Sequence, residues 1–142
     1  MGKVIGRVTD KHRAKEFLDF LRQIDRSTPK NLDLHLILDN SSTHKTEDVR
    51  NWLEKHPRFK VHFTPTSASW LNAVEGWFSQ LERRALSRGV FSNVKELRDA
   101  IHRFISTHNE QHAKPFKWTK TATAILESVQ RAKESLGVSK KN

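Results

Sequence analysis

Apolar residues recur along the chain in two rhythms, one alternating and one near the helical period. Val4 to Val8 is short and β-branched, which predicts a strand. Thr9 or Asp10 is placed to cap a helix in which Phe17, Leu18, Phe20, Leu21 and Ile24 form a stripe at helical spacing. The stretch from Ser27 to Asn31, centred on Pro29, breaks that helix. Leu32 to Leu38 follows as a second strand, continuously apolar toward its end as buried central strands are. It stops at a polar turn, Asp39 to His44. A helix from about Thr46 to Lys55 then carries Val49, Trp52 and Leu53 on one face and ends before Pro57. Phe59 to Phe63 alternates apolar and polar and predicts a third strand.

Beyond the loop Thr64 to Ser69 the pattern turns helical. Leu71, Val74, Trp77, Phe78 and Leu81 recur at three- and four-residue spacing, with Arg83, Arg84 and Arg88 at the end of the helix and Gly89 as its stop. A further helix from Asn93 to about Gln111 turns Leu97, Ile101, Phe104 and Ile105 inward, and Pro115 to Trp118 breaks it. The last helix spans roughly Thr121 to Leu136, and residues 137–142 form a disordered basic tail. Strands alternating with helices imply an α/β fold with a mostly parallel sheet and crossover helices. Trp52, Trp70, Trp77 and Trp118 fit core positions better than base-stacking ones.

Composition narrows the chemistry. The 142 residues are 35% apolar and 30% charged, which suits a folded domain with a charged surface. There is no cysteine, so disulfides, thiolate zinc sites and cysteine nucleophiles are excluded. The eight histidines suggest no histidine-rich metal cage. No apolar run approaches membrane-spanning length, and the N-terminus has no extended apolar core of a secretory signal. Lys and Arg exceed Asp and Glu by 26 to 16, a formal charge of +10 that favours polyanions such as nucleic acid.

In an open α/β sheet, functional groups collect beyond the carboxyl ends of the strands. Asp39 stands at such a place, directly after Leu36, Ile37 and Leu38. It is suited to hold a metal ion, or equally to cap its own turn. Glu75 lies between apolar positions of a helix and is expected to face partly inward, where a charge needs a partner. A shared divalent cation would supply one; an exposed ion pair with Arg83 is the simpler alternative. Hard cations such as Mg²⁺ take carboxylate oxygens, and two such ions suit phosphodiester chemistry.

The run Leu38 to His44, the strand ending at Thr64 and Pro65, and the helix Ser69 to Phe78 together resemble the DDE transposases of bacterial insertion sequences, in the mariner superfamily. The separation of 35 residues between Asp39 and Glu75 suits that pattern. Lys114 to Ala122 is similar to the tail of one insertion-sequence branch. The resemblance covers nearly the whole chain. It implies a ribonuclease-H-like catalytic core: three antiparallel strands, then helices alternating with two further strands. Val4 to Val8 would be the third strand, Leu32 to Leu38 the fourth and Phe59 to Phe63 the fifth.

The same resemblance makes Asp39 the second acid of the triad and Glu75 the third, both catalytic and both metal ligands for Mg²⁺, with Mn²⁺ as a substitute. Asn40, His44 and Asn72 would shape the site, and Lys11, Lys45, Arg83, Arg84 and Arg88 are candidate DNA contacts. The family's first acid sits on a first strand that would precede Met1, and neither Asp10 nor Asp33 matches its place. Residues 1–136 therefore correspond to a truncated domain that starts at the third strand, lacks the first two and carries C-terminal helices. Cleavage by this chain alone should be severely impaired, and Val4 to Val8 should be an open sheet edge. The implied partners are transposon-end and target DNA, bound largely without specificity, and a second copy or a full-length transposase. The implied location is the bacterial cytoplasm, at the nucleoid. A non-catalytic basic DNA-binding or assembly module is the alternative reading.

Overall fold

A computed structural model describes residues 2–64, 74–114 and 122–135. The chain forms two compact units, one from Met1–Val8 with Ala73–Thr119 and the other from Thr9–Asn72 with Lys120–Asn142.

The second unit holds a helix α1 (Ala14–Ser27), a strand β1 (Leu34–Leu38), a helix α2 (Glu47–Glu54), a strand β2 (Phe59–Phe63) and a C-terminal helix, α5 (Ala122–Ser135). β1 and β2 run parallel, with Leu34 opposite Phe59 and Leu38 opposite Phe63. The α2 crossover between them is what a parallel pair requires. Leu18 and Leu21 of α1, Val49 of α2 and Phe59 of β2 form the buried core, with Phe17, Ile24, Leu34, Leu36, Trp52 and Leu53 packed around it. Trp52 stacks on His56 at 3.7 Å and meets Phe59 edge-on at 4.9 Å, in keeping with a core position.

Local chemistry fixes the ends of these elements. α1 starts at Ala14 rather than after Thr9 or Asp10, because Glu16 reaches back to accept the Arg13 backbone N–H at 3.2 Å and the Arg13 guanidinium at 2.7 Å. That guanidinium hydrogen bond holds the Glu16 carboxyl down at about 2. Thr46 caps α2 by accepting from Val49 N. α1 ends where Arg58 closes it: the Arg58 guanidinium donates to Asp25 Oδ1 at 2.6 Å, to Asp25 O at 3.0 Å, to Thr28 Oγ1 at 2.9 Å and to Pro29 O at 2.9 Å. One side chain thus ties the end of α1 and its following loop to the start of β2.

The first unit holds α3 (Val74–Leu81), which widens into a π-helical turn at Glu82–Leu86, and α4 (Val94–Thr107), which does the same at His108–His112. Asn93 caps α4 by accepting from Glu96 N at 2.9 Å. Trp77 lies 5.8 Å from Phe104, and Leu81 is buried. Gly89 follows the first π turn, its N–H bonding Leu86 O at 3.2 Å.

Val4 to Val8 is not a strand. No backbone ladder forms on it among the described residues; instead the Asn109 amide takes the ladder's place at Val4, accepting Val4 N–H at 2.7 Å and donating to Val4 O at 2.8 Å. β-branching favours an extended backbone but does not supply a neighbour. At Gly6 the segment passes close to α4: a Cβ there would meet Ile105 Cδ1, the movable end of that side chain. The described sheet accordingly has two strands where the sequence predicts three.

Candidate active site

Asp39 stands directly after β1, and the register of the sheet end is locked beside it. Leu38 O accepts two hydrogen bonds from Thr64, the residue after β2: 2.7 Å from its N–H and 3.2 Å from its hydroxyl. Thr64 is almost wholly buried, so this pin is shielded from water. A buried hydroxyl needs such a partner, which is why threonine rather than valine suits the position.

His44 turns back across the loop. Its Nδ1 lies 3.1 Å from Asp39 Oδ1 and 3.2 Å from Asp39 O, so a proton on Nδ1 is shared between carboxylate and carbonyl. The Phe17 ring of α1 packs on the imidazole with centroids 4.4 Å apart. The result is a short relay, Phe17 to His44 to Asp39, that orients the carboxylate from the core outward. Asp39 keeps 62% of its side chain exposed, and Oδ2 has no partner among the described residues. Asn40 is exposed beside it.

Glu75 belongs to the first turn of α3, in the other unit, and is exposed there. That corrects the expectation that it faces partly inward. The apolar positions of α3 do not all point one way: Trp77 and Leu81 turn into their unit, whereas Val74 is 46% exposed and Phe78 56%. Glu75 lies on the exposed side, between Val74 and Phe78. Arg83 does not pair with it, since Arg83 Nε folds back to Ser79 O at 3.3 Å. Asn72, Trp70 and Trp118 lie outside the described residues.

The predicted DNA contacts are all on the surface. Lys11, Arg83, Arg84 and Arg88 are exposed. Lys45 is exposed as well, with Nζ held 4.9 Å from the centre of the Phe63 ring at the end of β2. His108 and His112 stand four residues apart across the second π turn, and His108 meets Trp77 edge-on at 6.5 Å. Among the described residues no three His, Asp or Glu side chains gather into one metal-binding group. Asp39 and Glu75 nevertheless offer the oxygen donors that a hard divalent cation takes, each exposed to receive one.

Comparison with known sequences decides the family. Residues 2–98 match the profile described as DDE superfamily endonuclease. The chain belongs to that family. The match contains both acids, the His44 turn and the whole β1–α2–β2 crossover. Over 91 residues the chain is also 25% identical to a protein of Shigella sonnei described as "Insertion element IS630 uncharacterized 39 kDa protein". The aligned part is 64% of this chain and 26% of that protein, so the chain spans about a quarter of the length of this curated relative. No solved structure matches. The resemblance to DDE transposases of insertion sequences is thereby borne out. The family implies a ribonuclease-H-like fold, with which the mixed α/β architecture and the parallel β1–β2 pair are consistent. No helix among the described residues is long and apolar enough to cross a membrane.

Proposed function

We propose that this chain is part of a transposase catalytic domain that cleaves and rejoins DNA strands with divalent metal. The observation that carries the reading is the Asp39 carboxylate at the carboxyl end of β1, exposed yet oriented by His44, in a chain of the DDE endonuclease family. In this reading Asp39 and Glu75 are the second and third acids and would hold Mg²⁺ or Mn²⁺. When bound, such an ion would supply activation of the attacking oxygen and charge stabilisation at the leaving one. His44 fixes the carboxylate that receives it, and Asn40 and Asn72 shape the surroundings.

These 142 residues supply two of the family's three acids, and the site on its own is severely impaired. In a nicking assay with supercoiled plasmid and Mn²⁺, the purified chain is expected to cleave little or not at all. Robust nicking that Asp39→Ala abolishes would contradict that part of the reading.

Arg83, Arg84 and Arg88, with Lys11 and Lys45, contact DNA phosphates. Each phosphate contact contributes roughly 0.9 to the slope of log affinity against log salt. Replacing the three arginines by glutamine should therefore lower the slope by about 2 to 3 and weaken binding to unrelated duplexes equally. An unchanged slope in a fluorescence-anisotropy titration would remove these residues from the interface. DNA binding insensitive to metal and to Asp39→Ala would favour the non-catalytic module, which pairs with intact transposase or with a second copy.

A further inference from the structure

On α3 and the π turn after it, Glu75, Ser79 and Arg83 follow one another at four-residue spacing and form one row along the exposed side. The row lies close to the helix: Ser79 Oγ donates to Glu75 O at 3.2 Å, and Arg83 Nε donates to Ser79 O at 3.3 Å. Among the described residues no carboxylate pairs with the Arg83 guanidinium. Arg84 and Arg88 follow it, both exposed.

Val74 and Phe78 flank this row on one side, and more than half of Phe78 stands in solvent. Trp77 meets the Phe78 ring at 72° with centroids 5.5 Å apart, so one edge-on contact steadies an aromatic that is otherwise open. Gly76 lies on the other flank. Inside a helix glycine is unfavourable, yet among the described residues a Cβ there would meet nothing within 4 Å. Packing within the chain does not call for it. Room at that point serves something that comes to the helix from outside.

The cations say what comes. A second copy would bring its own arginines to a chain already charged +10, whereas a polyanion is drawn to them. The open ring narrows this further. Inside a regular duplex both faces of a base are already stacked, so only a base freed from its neighbours offers a face to Phe78. We infer, on the strength of the proposed DNA chemistry, that Phe78 stacks on an unpaired base of the strand that Glu75 serves. The base lies on the Phe78 flank and its phosphate on the flank of Gly76 and Arg83, so one nucleotide crosses the helix over Glu75. Every base has a flat face, hence the contact selects an unpaired strand rather than a sequence.

Fluorescence titrations of the complete chain in EDTA test this without calling on the metal site. The probes are a fully paired duplex and the same duplex with a short single-stranded flank carrying a fluorescent adenine analogue. The parent should bind the flanked probe more tightly and alter the emission of the analogue. Phe78→Ala and Phe78→Leu should each weaken that binding by roughly 5- to 150-fold, the worth of one stacked base, and leave affinity for the paired duplex unchanged. Phe78→Trp should retain both the affinity and the emission change. Gly76→Leu should weaken binding of the flanked probe while its thermal unfolding midpoint does not fall, which separates a blocked approach from a damaged fold. A parent that binds neither probe would remove DNA as the partner, and the proposed chemistry with it. Equal binding of the two probes, or flanked-probe binding and emission that survive Phe78→Leu, would overturn the stacking alone. Loss of self-association in Phe78→Ala with DNA binding intact would overturn it too, and make this face a contact between copies.

Discussion

Arg58→Ala is expected to lower unfolding stability by about 3 kcal/mol, the cost of leaving partly buried acceptors without their charged donor. The Arg58 side chain is only 14% exposed, and its fork reaches Asp25, Thr28 and the carbonyls of Pro29 and Leu32 together. Lysine presents one point charge where the site takes a planar fork, so Arg58→Lys should recover less than half of the loss. The pH dependence provides a second reading of the same contact. Hydrogen bonds from Arg58, then from Lys30, hold the Asp25 carboxyl below its ordinary range. A depressed carboxylate stabilises the fold above its unfolded value and loses that contribution as pH falls through the folded one. The stability gap between parent and Arg58→Ala should therefore be widest near neutrality and narrow below about pH 4. Urea denaturation at several pH values measures both effects; a gap that does not change with pH would show that Asp25 and Arg58 are not coupled.

Leu21→Ala should be comparably damaging, at about 3 kcal/mol, because Leu21 is 1% exposed at the centre of the cluster with Leu18, Val49 and Phe59. Its loss leaves a cavity beneath the parallel pair, one turn along α1 from Phe17. Leu21→Met keeps the volume and should cost less than about 1.5 kcal/mol. Because Phe17 orients His44, the alanine variant should also broaden the His44 ring signals in NMR spectra, whereas the methionine variant should leave them sharp. A loss under about 1 kcal/mol for Leu21→Ala would mean that the core lies elsewhere.

Much of the crossover unit is legible in the sequence. Phe59 to Phe63 reads as a strand because it alternates between two chemically different faces, and β2 has those bounds. Val49, Trp52 and Leu53 predict the inward side of α2, and Thr46 announces its start. Asp39 at a strand end follows from the same pattern. What escapes the sequence is whatever depends on a partner from elsewhere. Val4 to Val8 has the composition of a strand, yet pairing is a property of two segments, and Asn109 meets its backbone instead. Helical spacing assigns Val74 and Phe78 to the same stripe as Trp77 and Leu81, but a stripe that wide has two sides, and only tertiary contacts choose between them. Arg58 looks like any surface arginine until the end of α1 is brought to it. His35 and His62 are 27 positions apart and meet only through the parallel register.

In the proposed function Asp39 and Glu75 serve one metal site. Isothermal titration of Mn²⁺ into the purified chain, beside Asp39→Ala and Glu75→Ala, tests it most directly. Weak binding is expected in the parent and should be abolished by each substitution, with all three proteins equally folded by circular dichroism. Absence of binding in the parent, or binding that survives either substitution, would contradict it.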